Sequence, residues 1–218
     1  MSAPHCLEPL LRLLQSDMLV LLALLGWLVC VVYSTVPAFW LMIHTRAESW
    51  RKWRVSPYVV LIPLWMAMWA VMLAITWPFK NLYFYSSPWA WLPAAALFVI
   101  GIWVYRQAGA GFSLKQLGGV PELHGGQQHL ITTGIRKRSR HPVYLGHLLE
   151  MLAWSIGTGL IVCLALTAFA MLTGAVMIRA EDAELEQRFG VEYARYREAV
   201  PAVLPRPSNI TRGTDVSQ

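Results

Sequence analysis

The chain has 218 residues, of which 56% are hydrophobic and only 14% are charged. A soluble domain has about 25% charged residues, so this composition excludes a typical soluble protein and predicts one embedded in a membrane. The net charge of +6 is concentrated in particular loops, which favours membrane topology over nucleic-acid binding as its cause.

The hydropathy of the chain predicts an all-α integral membrane protein with about five transmembrane helices. The first three lie at residues 18–43, 57–77 and 88–105, and we assign residues 1–105 to an N-terminal transmembrane region. The last apolar block, residues 143–178, is too long for one untilted helix. Because it contains Gly157 and Gly159, we divide it into a helical hairpin with a short first arm at residues 142–156.

Residues 106–207 form the second predicted unit, a catalytic region. It begins with a polar, glycine-rich loop that reaches Arg140, continues through the hairpin, and ends in polar helices after Ile178. We expect these last helices to extend from the membrane and to fold back as a cap. Residues 208–218 are predicted to be a flexible tail.

The positive charges predict one orientation in the membrane. Four Lys or Arg residues lie within residues 46–54, six within residues 106–140, and six from Arg179 onward, whereas only Arg12 and Lys80 fall on the opposite side. The positive-inside rule then places the N-terminus outside and the long loop and C-terminus in the cytoplasm. The Leu-, Ala-, Trp- and Arg-rich composition favours a bacterial inner membrane.

A polar cluster lies at each end of the predicted hairpin, and the two should meet on one side of the membrane. The first is Arg140-His141, before Pro142, and the second begins at Arg179 and includes Glu181. Charged groups at a membrane hairpin are costly unless they bind something, so this is the predicted working site. A proline at the first helical position would also place His141 at a helix N-terminus, which attracts carboxylates.

Further along the first arm, Tyr144, His147 and Glu150 share one helix face. A carboxylate within the membrane predicts a functional role for Glu150, and the alternative is a structural hydrogen bond to a neighbouring helix or to His147. Gly146 leaves a gap in which something flat could pack. No metal site is predicted from the histidine spacings, and Cys30 and Cys163 are interpreted as small core residues.

Several segments together resemble the isoprenylcysteine carboxyl methyltransferase family and, more broadly, the phospholipid-methylating membrane methyltransferases. They are Leu130-Ile131-Thr132-Thr133-Gly134, Arg140-His141-Pro142-Val143-Tyr144-Leu145-Gly146, Glu181-Asp182-Ala183-Glu184-Leu185, Phe189-Gly190, Tyr193 and Tyr196. The sequence departs from the family pattern at Arg136, where an aromatic residue is common, and at Asp182, where a second Glu is common.

The resemblance implies a methyltransferase that uses S-adenosylmethionine to methylate a lipophilic acceptor at a carboxylate, thiol or similar nucleophile. The residues that it implies for binding this methyl donor are Gln128, His129, Leu130, Ile131, His141, Pro142, Val143, Tyr144 and Glu181. On the acceptor side, Arg140 or Arg179 could orient an anion, and Glu150 or His147 could take a proton from a neutral group. The implied partners are a lipophilic or lipidated substrate and the bilayer, with neither nucleic acid nor metal.

Two other functions remain open at this stage. One is a sterol- or steroid-reductase-like membrane enzyme that uses NAD(P)H, although Val143 and the Gly146-His147 pair occupy positions where those proteins usually have other residues. The other is a non-catalytic membrane helper protein that retains the scaffold without the chemistry. The joint presence of His141, Tyr144 and Glu181 argues against this second function.

Overall fold

The computed structural model describes residues 7–110 and 129–205, and within these ranges the chain is helical without β-strands. Seven α-helices follow one another within the described ranges. They are α1 (Leu7–His44), α2 (Ala47–Arg51), α3 (Tyr58–Thr76), α4 (Trp91–Gly109), α5 (Pro142–Thr158), α6 (Ile161–Phe189) and α7 (Val191–Ala199). Short 3₁₀ turns occupy Trp77–Phe79, Pro88–Ala90 and Gly134–Lys137.

Four segments in the described part of the chain are long and apolar enough to cross a membrane. They are Asp17–His44, Tyr58–Phe79, Pro88–Gly109 and Ile161–Phe189. The all-α membrane fold is therefore confirmed, whereas a fifth crossing stays a prediction, because α5 has only 17 residues. At 1.5 Å per residue this helix is about 25 Å long, slightly less than the hydrocarbon core of a bilayer.

The predicted hairpin is confirmed, and a glycine makes its turn. α5 ends at Gly159, which has a φ of 65°, a left-handed conformation that costs little only for glycine. The loop that joins α3 to α4 closes over this turn, since the Phe84 N–H donates to the Gly159 carbonyl at 2.8 Å and the Ile161 N–H donates to Leu82 at 3.0 Å. The turn of the hairpin therefore lies beside the α3–α4 loop.

α5 occupies the centre of the helix assembly and packs against α1, α4 and α6. Against α4, the gap predicted at Gly146 is filled by the ring of Tyr105, which lies 3.2 Å from where a Cβ would be. The apolar core joins α1, α5 and α6 around Trp27, Cys30 and Cys163. Both cysteines are buried and unbridged, which confirms their interpretation as small core residues.

The hairpin turn provides a direct test of this arrangement. We expect Gly159→Ala to lower the free energy of unfolding by at least about 2 kcal/mol, because a side chain is strained at this φ. In addition, the new Cβ would lie 2.2 Å from the Tyr85 carbonyl oxygen. Thermal unfolding of the detergent-solubilised protein measures the effect.

The matched control for this substitution is Gly109→Ala, at the end of α4, where a Cβ would meet nothing within 4 Å. We expect this control to change stability by no more than about 1 kcal/mol. Equal losses for the two variants would contradict the role that we assign to the turn.

Candidate functional site

The two polar clusters meet at the open end of the hairpin, as the sequence predicts. His141 precedes α5, and its imidazole lies between two carboxylates on α6. Its Nδ1 is 3.1 Å from Glu181 Oε2, and its Nε2 is 2.9 Å from Asp182 Oδ1. The helix starts here because Pro142 supplies the fixed φ of a first helical residue and needs no hydrogen-bond partner for a backbone N–H.

Asp182 holds three donors together. Besides the His141 imidazole, it accepts from Arg140 Nη2 at 3.0 Å and from the Tyr193 hydroxyl, which makes a very short contact with Oδ1. Asp182 and His141 are buried, as is the side chain of Arg140. A buried carboxylate loses the free energy of its hydration, and hydrogen bonds from several charged or polar donors offset part of this loss. Asp182 is therefore a structural centre of the site.

The chain after α7 returns to the same place and covers the cluster. The backbone N–H of Arg140 donates to the Pro201 carbonyl at 3.0 Å, and that of His141 donates to Ala202 at 2.8 Å. Arg140 Nη1 also donates to the Arg197 carbonyl at 3.0 Å. The segment after α7 therefore fixes the backbone just before α5, and α7 itself holds the side chain of Arg140.

A cavity of about 200 Å³ opens beside this cluster. Its walls come from α1, from the segment before α5, from the first turn of α5, and from α6 and α7. The lining combines cationic, acidic and aromatic groups, and consists of Trp40, His44, His129, Leu130, Ile131, Arg136, Arg140, His141, Pro142, Val143, Tyr144, Glu181, Leu185, Phe189, Tyr193 and Tyr196.

The electrostatics of the cluster favour a charged imidazole. Burial lowers the pKa of His141, but Glu181 and Asp182 more than offset this effect and raise the pKa to about 9. His141 is therefore an imidazolium at neutral pH. Burial also raises the pKa of Tyr193, and its hydrogen bond to Asp182 acts in the same direction, so this hydroxyl remains a donor.

The structure brings most of the predicted site residues together. Arg140 and all the described residues predicted to bind the donor line the cavity, namely His129, Leu130, Ile131, His141, Pro142, Val143, Tyr144 and Glu181. Gln128 lies outside the described residues. Arg179 is exposed on α6 and is absent from the lining, as is Glu150. The roles of all these residues remain predictions.

Glu150 takes part in a separate polar network between α1, α4 and α5. Its carboxylate accepts from the Tyr33 hydroxyl at 3.1 Å. His147 does not pair with it there: its Nδ1 is 2.9 Å from the Tyr105 hydroxyl, and its Nε2 is 3.0 Å from the Tyr33 carbonyl oxygen. Because a carbonyl only accepts, His147 Nε2 carries a proton, and both ring nitrogens are engaged.

Two cavity residues that sequence reasoning missed come from the first helix. Trp40 and His44 lie near the end of α1, about 100 residues before the predicted binding segments. No local pattern marks them, because they reach the site through the packing of α1 against α5 and α6. Tyr193 and Tyr196 belong to the segments that carried the resemblance, but had received no role.

Part of this site lies in a segment that is similar to known proteins. Residues 89–192 match the model of the family described as phospholipid methyltransferase. The relatives that match include Protein-S-isoprenylcysteine O-methyltransferase A and B of Arabidopsis thaliana, which are 37% identical over 89 residues and 36% identical over 81 residues. A third is a probable protein-S-isoprenylcysteine O-methyltransferase of Oryza sativa subsp. indica, 36% identical over 92 residues.

The matched segments are partial. They cover 38%, 35% and 39% of this chain, and 41%, 39% and 46% of the three relatives. The chain thus matches less than half the length of each relative. No solved structure matches. Residues 89–192 are thus similar to the phospholipid methyltransferase family, and segments of the chain are similar to parts of protein-S-isoprenylcysteine O-methyltransferases.

The central position of Asp182 leads to a stability prediction. Asp182→Asn preserves the shape of the side chain but removes the negative charge that Arg140 and His141 share. We expect a loss of about 3 kcal/mol, because two largely buried cations lose their partner. Chemical unfolding in detergent, followed by tryptophan fluorescence, measures the change.

The matched control is Glu186→Gln, which breaks a pair with Arg197 in which both side chains are about 40% exposed. An exposed pair contributes no more than about 1 kcal/mol, so this variant should remain close to the wild type. If Asp182→Asn were as mild as this control, the central role of Asp182 would be wrong.

The raised pKa of His141 predicts a particular dependence of stability on pH. A group whose pKa is higher in the folded state, here about 9 against an ordinary 6.5, stabilises the fold fully below the lower value. This contribution then disappears as the pH rises through the folded-state value. We therefore expect the difference in melting temperature between the wild type and His141→Gln to be largest near pH 6 and to shrink towards pH 10. A difference that stays constant over this range would contradict the charged imidazole.

Proposed function

We propose that this protein is a membrane methyltransferase that uses S-adenosylmethionine and methylates a lipophilic acceptor at a carboxylate, thiol or similar nucleophile. The family matches in residues 89–192 support this proposal. The observation that carries it is the cavity at the hairpin mouth, where the Glu181 carboxylate lies among aromatic and cationic side chains. When bound, the donor would supply a methyl group activated by a positively charged sulfur.

The cavity fits the chemical groups of such a donor. Its amino group and ribose hydroxyls require a hydrogen-bond acceptor, which Glu181 provides, and its purine requires apolar or aromatic walls, such as Leu185 and Phe189. The Tyr144 hydroxyl is buried without a hydrogen-bond partner in the described part of the chain. Because an orphaned buried hydroxyl is costly, its presence in the wall of the cavity favours a polar ligand there.

His141 acts on the donor through Glu181 in this proposal. Both of its ring nitrogens face carboxylates, so the imidazolium has no ring N–H left for the carboxylate of the donor. Its charge holds Glu181 in the ionised form and in one orientation. The N-terminus of α5 offers the backbone N–H of Val143 and a positive dipole for the carboxylate of the donor, since the N–H groups of Tyr144 and Leu145 already donate to the His141 carbonyl.

The protein contributes to methyl transfer mainly by positioning and by excluding water. Among the proposed acceptor residues, Arg140 lines the cavity and could orient an anion, whereas Arg179, two residues before Glu181 on α6, is exposed and does not line it. The hydrogen bond from Tyr33 to Glu150 favours the structural alternative for Glu150 over proton transfer. The partners of His147 favour a structural role for that residue too.

The apolar helices and the family relatives indicate a membrane protein. We further propose that its N-terminus lies outside and that the cavity opens to the cytoplasm. The support is the distribution of Lys and Arg, which are concentrated in the loops at the end of the hairpin that carries the cavity. We also propose a bacterial inner membrane, and composition is its one support. The relatives named above do not support it, because they are from plants.

Donor binding to the detergent-purified protein, measured by calorimetry, tests the proposed function. We expect S-adenosylmethionine to bind with micromolar affinity and Glu181→Gln to weaken binding about 10-fold or more, because a charge-assisted hydrogen bond is lost. The matched control is Glu192→Gln, an exposed carboxylate on α7 outside the cavity lining, which should bind like the wild type.

NADPH serves as the competing ligand in the same experiment. If NADPH bound and S-adenosylmethionine did not, a reductase would replace the methyltransferase as the best explanation. If neither ligand bound, a non-catalytic role for this scaffold would be favoured.

A further inference from the structure

We propose that residues 46–55, between α1 and α3, form a binding surface for the phosphate groups of anionic phospholipids. We call these residues the basic segment. The lipids would come from the leaflet at the end of the helix bundle that carries the cavity. Because the basic segment lies outside the cavity lining, the inference does not depend on the proposed methyltransferase function.

The position of the basic segment follows from the two helices that it joins. α1 ends at His44 and α3 begins at Tyr58, and both helices belong to segments that are long and apolar enough to cross a membrane. The basic segment therefore lies where two crossings end, at the level of the lipid headgroups. The same end carries the cavity, since Trp40 and His44 of α1 line it.

The basic segment carries an excess of positive charge. It contains four Lys or Arg residues and a single carboxylate, Glu48. Three of these cations, Arg46, Lys52 and Arg54, have exposed side chains, and none of the three forms an ion pair with another residue that the structure describes. Cations that are close together without a counter-ion attract an anionic partner.

Exposed apolar side chains lie among these cations. Trp53 is between Lys52 and Arg54 and is 47% exposed, and Val55 is 60% exposed. This combination is typical of the membrane interface, where Trp is enriched and Lys or Arg side chains reach the lipid phosphates. A free phosphate ion would neutralise the charges but would leave Trp53 and Val55 in water. The pattern therefore favours a lipid surface over a soluble anion.

The contacts of the basic segment hold it in one place. The Trp50 indole is buried and donates to the Met42 carbonyl at 3.0 Å, and the ring of Trp53 packs edge-on against it with centroids 4.8 Å apart. Arg51 Nη2 also donates to Glu184 Oε1 on α6 at 3.0 Å. The exposed cations are thus presented from a backbone fixed against α1 and α6, which lowers the entropy lost when a headgroup binds.

Photoactivatable lipids test the inference on the full chain in phosphatidylcholine nanodiscs. The probes are a phosphatidylglycerol and a phosphatidylcholine with a diazirine in the headgroup, and mass spectrometry locates the residues that they label. Since each Lys or Arg near an anionic headgroup contributes roughly fivefold to the attraction, we expect phosphatidylglycerol to label the basic segment about 10-fold more than phosphatidylcholine. Raising the salt to about 0.5 M should reduce this preference, because the charges are then screened.

Neutralising the three exposed cations should remove most of the preference. In the combined variant Arg46→Gln, Lys52→Gln and Arg54→Gln, we expect phosphatidylglycerol to label the basic segment no more than about threefold better than phosphatidylcholine. The substitutions are at exposed side chains, so the fold should be retained.

The matched control removes the same charge elsewhere. It combines Lys137→Gln, Arg138→Gln and Arg195→Gln, three exposed residues that lie outside both the basic segment and the cavity lining. We expect this variant to label the basic segment within about twofold of the wild type, because screening limits the reach of distant charges.

The depth of Trp53 gives a second measurement that needs no change of charge. The difference in fluorescence between the wild type and Trp53→Phe isolates the emission of this residue. We expect lipids brominated near the headgroup end of their acyl chains to quench it several-fold more than iodide in the water does. Stronger quenching by iodide would place the basic segment in water and would overturn the inference.

Other outcomes of the labelling experiment would also overturn it. They are equal labelling by the two probes and equal losses of preference in the two combined variants. If inorganic phosphate at constant ionic strength abolished the labelling by phosphatidylglycerol, the surface would bind a soluble anion instead. If hexaglutamate bound to the wild type and not to the first variant, while neither lipid was preferred, the partner would be an acidic protein.

Discussion

The charged side chains at the open end of the hairpin must pair with one another, and the rest of the structure depends on this constraint. An isolated charge at the edge of the hydrocarbon core is costly, and so is a buried ion pair with a missing partner. Here Arg140 and His141 precede one arm of the hairpin and meet Glu181 and Asp182 on the other. The turn at Gly159 and the ion cluster fix the hairpin at both ends. The apolar parts of α5 and α6 between these two points must therefore be similar in length.

This pairing also links the folding of the C-terminal segment to the formation of the cavity. The carbonyl groups of Pro201 and Ala202 accept the backbone N–H groups of Arg140 and His141, and Tyr193 completes the donors around Asp182. None of these groups could remain buried without the others, because each would leave an unsatisfied polar atom. The cavity therefore requires the hairpin and the segment after it to dock together.

Much of this arrangement follows from local sequence patterns. Pro142 and Gly159 mark the ends of α5 because their backbone preferences act locally, and the polar clusters define the open end of the hairpin by their position alone. The contacts of Glu150 could not be predicted in this way, since its partner Tyr33 lies 117 residues away on α1. The same holds for Gly146, whose gap receives the ring of Tyr105 from a different helix. Such contacts depend on which helices pack together, and hydropathy does not determine that choice.

The contribution of α1 to the cavity limits what similarity to other proteins can tell about the substrate. The family match begins at residue 89, so it includes Glu181 and the start of α5 but excludes Trp40 and His44. The matched segment contains the groups that we propose to bind the methyl donor, whereas α1 supplies the stacked rings of Trp40 and His44. Two proteins could therefore share the proposed donor-binding segment and still differ in the part of the cavity that α1 lines. For this chain, any proposal about the acceptor has to rest on the α1 side of the cavity, where the family match carries no information.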